Sequence, residues 1–154
     1  MIKLYRSGVL AKVVVAFPCA IPQAVYREVV TRGRARLHQD AEAIEAIIGG
    51  IVTVEVTPER QQPEMGLGAG EIGILDMLDP SRSQVVVSDD RRFLNLLTTQ
   101  GISFLTPADV LVAMAGRGTI SGPEADEALE RLRPLIRRAA YEEAREDLKH
   151  GGKS

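Results

Sequence analysis

What this chain has little of narrows the reading first. Cys19 is the only cysteine in 154 residues, so no intrachain disulfide can form, as is usual in a reducing cytoplasm. There is no Trp, and aromatic residues make up 4% of the chain. That is too few for a base-stacking surface of the single-strand-binding type. Positive charge is not in excess: the formal net charge is -2. No global field attracts nucleic acid, and any such contact rests on local patches. Only two histidines occur, His38 and His150. Neither stands at metal-ligand spacing, and both read as surface residues. No apolar run approaches the ~20 residues that a membrane-crossing helix needs. The opening "MIKLYRSGVLAKVVVAF" has no continuous apolar core and no small-residue cleavage site after it, which argues against a signal peptide. Repeats and low-complexity tracts are absent.

What is there reads as a globular chain with ordinary apolar and charged fractions. Ile2, Tyr5, Val9, Val13 and Ala16 lie at helical spacing, while Val13-Val14-Val15 equally suits a strand. "CAI" (19–21) reads as a short strand, with Pro22 in the first turn of a helix running to about Gly33. A helix is expected in "QDAEAIEAII", ended by Gly49-Gly50, then a strand in "IVTVEV" (51–56). Residues 57–70, rich in Pro and Gly, read as a loop. "EIGILDML" is predicted helical, "QVVV" a strand, "RRFLNLLTTQ" a helix and "ISFL" a strand. Thr106-Pro107 opens a further helix, and residues 121–149 read as two more, split near Pro134. This alternation predicts an α/β fold, a three-layer α/β/α sandwich around a mainly parallel central sheet, over residues 1–120. Residues 121–149 form a helical extension. Its stripe of Ala128, Leu129, Leu132, Leu135, Ile136 and Ala139 would pack on the domain or on another chain.

In parallel sheets, ligands gather at the carboxyl ends of strands. "VVVSDDRRFLNLL" (85–97) puts Asp89 and Asp90 at such an end. Most other acids read as a solvated face with i,i+4 pairs: Glu42 and Glu45, and those from Glu124 to Asp147, which are interleaved with arginines. Glu28 and Glu71 stand apart. Glu28 lies at the edge of the apolar stripe of Ala24, Val25, Val29 and Val30, and Glu71 opens an apolar helix after "GLGAG". Structural readings exist for each. Ser88 or Asp89 would cap a helix, Glu71 would meet a helix dipole, and Glu28 would pair with Arg32.

Together, "IPQAVYREVV", "GAGEIGIL" and "VVVSDDRRFLNLL", in this order, resemble the PIN domain family, in its branch of prokaryotic predicted, VapC-like nucleases. The later "GISFLTPADVLVAMAGRGTISGPEADEALERLR" resembles that branch in layout. The resemblance spans roughly residues 2–149. It implies an α/β/α fold, one or two Mg²⁺ or Mn²⁺ ions and hydrolysis of RNA phosphodiesters. Glu28, Glu71, Asp89 and Asp90 would then be catalytic, metal-site positions. It also implies a toxin-like role with a small antitoxin-like partner protein. Mg²⁺ takes oxygen ligands and keeps several waters, so a few carboxylates suffice. Phosphate would be met by Arg27, Arg32, Arg34 and Arg36 near Glu28, and by Arg91 and Arg92 beside the aspartates. Single-stranded RNA is the expected substrate, because a splayed strand can enter a narrow acidic cleft.

The sequence departs from the family at one point. Family members begin with a strand ending in an aspartate, ahead of the helix that "IKLYRSGVLAKVVVAF" resembles. Here no acid precedes Glu28, and Met1 already lies in that helix. The expectation is a chain lacking the N-terminal strand and its aspartate. The natural protein would begin upstream, or the chain would be a degenerate member, or "KVVVAF" or a partner would supply a replacement strand. Unpaired strand edges lead to an expected homo-oligomer or other compensating pairing. The rival reading is a catalytically inactive PIN-like module that binds RNA or protein. A receiver-like signalling domain is disfavoured, since no lysine follows "ISFL".

Overall fold

The computed structural model describes residues 1–36, 39–57 and 66–151. His38 and most of the predicted 57–70 loop lie outside the described residues. The chain opens with α1 (Ile2–Arg6) and α2 (Leu10–Ala16). "KVVVAF" is therefore largely helix, and it does not form a replacement strand. Strand β1 (Ala20–Pro22) leads into α3 (Gln23–Tyr26), a π-helical turn over Arg27–Thr31, and α4 (Arg32–Ala35). Pro22 closes the strand with extended geometry (φ -69, ψ 151) and precedes the first helical residue instead of occupying it. Next come α5 (Gln39–Ile48), β2 (Thr53–Glu55), α6 (Ala69–Met77), β3 (Val86–Val87), α7 (Arg91–Thr99) and β4 (Phe104–Leu105). The chain ends with α8 (Pro107–Gly116), α9 (Gly122–Leu132), a 3₁₀ turn over Arg133–Leu135, and α10 (Arg138–Lys149). No described helix is long and apolar enough to cross a membrane.

The strands are parallel, as expected, but they do not form one central sheet. β1 pairs with β2 in the register Ala20↔Thr53, and β3 pairs with β4 in the register Val86↔Phe104. These are two separate two-stranded sheets. The Val86 and Ser88 N–H groups donate to the carbonyls of Ser103 and Leu105 at 3.0 and 3.1 Å. Backbone polar groups alternate sides along a strand, so those of Val87 point to the other edge, where no described strand pairs. The apolar interior divides in the same way. One cluster joins α1, α2, α5, α8, α9 and α10 through residues such as Leu10, Ile44, Leu111 and Leu132. A smaller one gathers Leu67, Val86, Phe93, Leu94 and Leu97 around β3 and α7.

Helix α6 links the two. Its Ile72, Ile74 and Leu75 pack on the smaller cluster, while Gly73 lies on β1. A Cβ at Gly73 would stand 2.6 Å from Pro22 Cβ, so only glycine allows this approach. In the extension, Ala128, Leu129 and Leu132 are buried as predicted, with Leu135 and Ile136 partly so. Ala139 is exposed, and α10 instead buries Tyr141 and Ala144. The 3₁₀ turn at Pro134 shifts the helical phase between α9 and α10, which a single stripe could not anticipate.

Candidate functional site

Glu28 lies in the π-helical turn, where one extra residue per turn displaces the i+4 neighbour. The predicted pair with Arg32 does not form; both side chains are exposed. Glu28 is instead close to the first turn of α6: a Cβ on Gly70 would lie 3.8 Å from its Oε2 and 3.0 Å from Val25 Cγ2. Beside Gly70, Glu71 turns back so that its Oε2 accepts the Gly68 N–H at 2.7 Å. This is one half of a capping interaction, and it satisfies a donor at the helix start. Ahead of the helix, Gly66 (φ +69) makes a turn against Arg92, whose guanidinium would stand 2.8 Å from a Cβ there. Residues 66–71 therefore lie against both the Glu28 turn and the start of α7.

Asp90, not Ser88 or Asp89, caps α7: its Oδ1 accepts the Phe93 N–H at 3.0 Å. Ser88 Oγ accepts the Asp90 N–H at 3.3 Å and shapes the turn. Asp89 is left free of capping and forms an ion pair with Lys3 of α1, 86 residues away in sequence. Burial holds the Lys3 pKa below its ordinary value. Lys3 gave no sequence signal beyond interrupting an apolar stretch.

The remaining predicted cations divide. Arg27 receives a partner in Gln23, at 3.1 Å. Arg34 pairs with Glu45, which also accepts the Tyr26 hydroxyl at 2.7 Å and so ties α5 to α3 and α4. Glu45 is thus a cross-link and not a solvated i,i+4 residue. Likewise Glu124 reaches Lys12 of α2 at 2.5 Å, and Glu130 accepts the Tyr141 hydroxyl. The i,i+4 reading holds for Arg131 with Glu127 and for Arg138 with Glu142. Arg32, Arg36, Arg91 and Arg92 are exposed. His150 is exposed near its own helix end, with Nδ1 2.8 Å from the Glu146 carbonyl oxygen. Burial pushes the half-buried Cys19 thiol pKa up.

Carboxylate oxygens are the donors that Mg²⁺ and Mn²⁺ take, so the chemistry of the predicted set fits such an ion. Its placement does not complete a coordination shell. Glu71 bonds its own helix start, Asp90 caps α7, and Asp89 faces Lys3. Among the described residues, no three acids, histidines or cysteines converge to hold a metal.

Parallel strand pairs with helical crossovers define the class: a mixed α/β protein. The family model DUF3368, described as a PIN domain, matches residues 1–150, and the chain belongs to that PIN domain family. No curated protein matches the chain, and no solved structure does.

Proposed function

We propose that this chain is a divalent-metal-dependent ribonuclease of PIN type, hydrolysing phosphodiesters of single-stranded RNA as a toxin-like component. The observation that carries this reading is the 66–71 segment, the entry into α6 and its first turn. It approaches Glu28 at Gly70, supplies Glu71, and lies against Arg92, two residues after Asp90. In the proposal Glu28, Glu71, Asp89 and Asp90 are the Mg²⁺ or Mn²⁺ ligands, and Arg27, Arg32, Arg91 and Arg92 meet RNA phosphate. Residues 1–120 form the PIN-like, VapC-like unit of a three-layer sandwich, and residues 121–149 are its helical extension.

The acid set is incomplete as folded, so the proposed activity depends on its completion. The free edge of β3 and the divided core favour a further parallel strand between the two sheets, ending in an acid beside Asp89. Such a strand would pair the open backbone groups and draw Lys3 away from Asp89. It would come from a second copy in a homo-oligomer. A cytoplasmic setting and an antitoxin-like partner complete the proposal.

A second reading, a non-catalytic RNA- or protein-binding module, is favoured by one observation: Lys3 neutralises Asp89. The test is cleavage of a mixed single-stranded RNA pool with Mn²⁺, using the chain beside an Asp89→Asn, Asp90→Asn variant. Asn remains a good helix cap, so the variant should stay folded. Mn²⁺-dependent cuts lost in the variant support the nuclease. Absence of cutting by the parent chain supports the binding module.

A further inference from the structure

A cavity of about 290 Å³ lies beside Asp89. Four parts of the chain wall it: α1, the start of α7, the start of α8, and the turn from α9 into α10. Its charged lining is Lys3, Asp89, Arg91 and Arg137, three cations against one acid. Lys3 offsets that acid, which leaves Arg91 and Arg137 facing the space, each without an ion pair among the described residues. The rest of the lining is largely apolar and includes Pro107, Pro134, Leu135, Ile136 and Ala140. The backbone adds to the positive side. Helix α10 begins at Arg137 with no side-chain cap and no acid in its first turn, so its N–H groups and dipole favour an anion there. By contrast, α8 and α9 carry side-chain caps.

We propose that this cavity is a nucleotide subsite. It takes the phosphate of one RNA nucleotide on Arg91 and Arg137, with the sugar and base against Leu135 and Ile136. The volume sits near the ~300 Å³ lower bound of small-molecule clefts, a size suited to one nucleotide and not to a duplex. Planar guanidinium groups bind phosphate oxygens in pairs, and aliphatic side chains give a base van der Waals contact without reading its sequence. The assignment rests on the RNA reading above and adds to it a role for the extension: Arg137 and Ile136 would hold the strand beside the acids.

Binding and cleavage test it separately. Uridine 5′-monophosphate is titrated calorimetrically into the full chain without metal, with uridine, inorganic phosphate and hexaglutamate as comparisons. The expected result is binding of the nucleotide at least tenfold tighter than each comparison. An Arg91→Glu, Arg137→Glu variant should lose it, while an Arg82→Glu, Lys149→Glu variant of equal charge change should retain it. If the charge reversal unfolds the chain by circular dichroism, Arg91→Gln with Arg137→Gln replaces it, with the same loss expected. Nucleotide binding that is absent, or unchanged in the variants, overturns the subsite. Equal binding of phosphate or hexaglutamate also overturns it, leaving an unspecific anion surface. Nucleotide binding without any RNA cleavage leaves the subsite standing while the nuclease reading fails. Cleavage with an unchanged KM in the Arg91, Arg137 variant keeps the nuclease and rejects the subsite.

Discussion

The helices α8, α9 and α10 and the strand region cover their apolar residues to different degrees. Leu111, Met114, Ala125 and Leu132 are completely buried. In and beside the strands, Val54 and Val87 are 40 and 41% exposed and the flanking Val56 and Val85 are 78 and 53% exposed, while Val86 alone of these is buried. A helix satisfies its own backbone and needs only a neighbour for one face. A strand needs a hydrogen-bonding partner on each edge as well as cover on its faces. Two isolated pairs cannot supply this, so the strand region remains open where the helical layer is closed.

Mutations in the two regions should differ accordingly. Leu111→Ala removes a fully buried side chain and should cost about 3 kcal/mol by urea denaturation. Val87→Ala at the open edge should stay within ~0.5 kcal/mol. Equal costs would mean that the edge is covered in solution, and a concentration-dependent cost at Val87 would identify a second copy as the cover.

At the join between the regions, Gly73→Ala drives a methyl into Pro22 and should cost about 1–3 kcal/mol. A neutral result would mean that α6 and β1 can separate freely, and that the two regions are less coupled than their contact suggests.

A smaller effect distinguishes cap from ligand at the end of β3. Asp90→Ala should cost about 1 kcal/mol through the lost bond to the Phe93 N–H, and Asp90→Asn only a few tenths. If both variants instead gain stability, repulsion from Asp89 outweighs the cap.

The least effect is expected in the helical layer's own charge network. The Tyr141 hydroxyl, followed by burial that opposes it and then Arg133, holds the Glu130 pKa below its ordinary value. A depressed carboxylate contributes stability above its unfolded pKa and loses it as pH falls through the folded one. The urea midpoint should therefore drop on acidification through the carboxylate range. Tyr141→Phe should show a shallower drop; an identical pH profile would reject the contribution of this bond.

Local signals explain where prediction succeeded. Thr106-Pro107 and Ser121 cap helices exactly where side-chain oxygens precede apolar spacing, and their hydroxyls accept from Asp109 and Glu124 N–H groups. The parallel pairing followed from alternation of strands with helices. Within the candidate site, only the neighbourhood of Asp89 and Asp90 at a strand end was readable. Which aspartate caps and which pairs with Lys3 was not, because Asp90's φ and ψ and the position of α1 decide it. The π-helical turn at Glu28 was also hidden, since a one-residue bulge leaves composition unchanged.

By itself the sequence determined the order of helices and strands, the absence of intrachain disulfides, and a resemblance to the PIN domain family, which the family match over residues 1–150 supports at that level. These rest on local propensity and spacing, which act within a few residues. Only the tertiary structure decided that the strands form two pairs instead of one sheet, that Lys3 meets Asp89, and that Arg91 and Arg137 share a cavity. Each joins residues tens of positions apart, and long-range packing sets such distances where local preference carries no information.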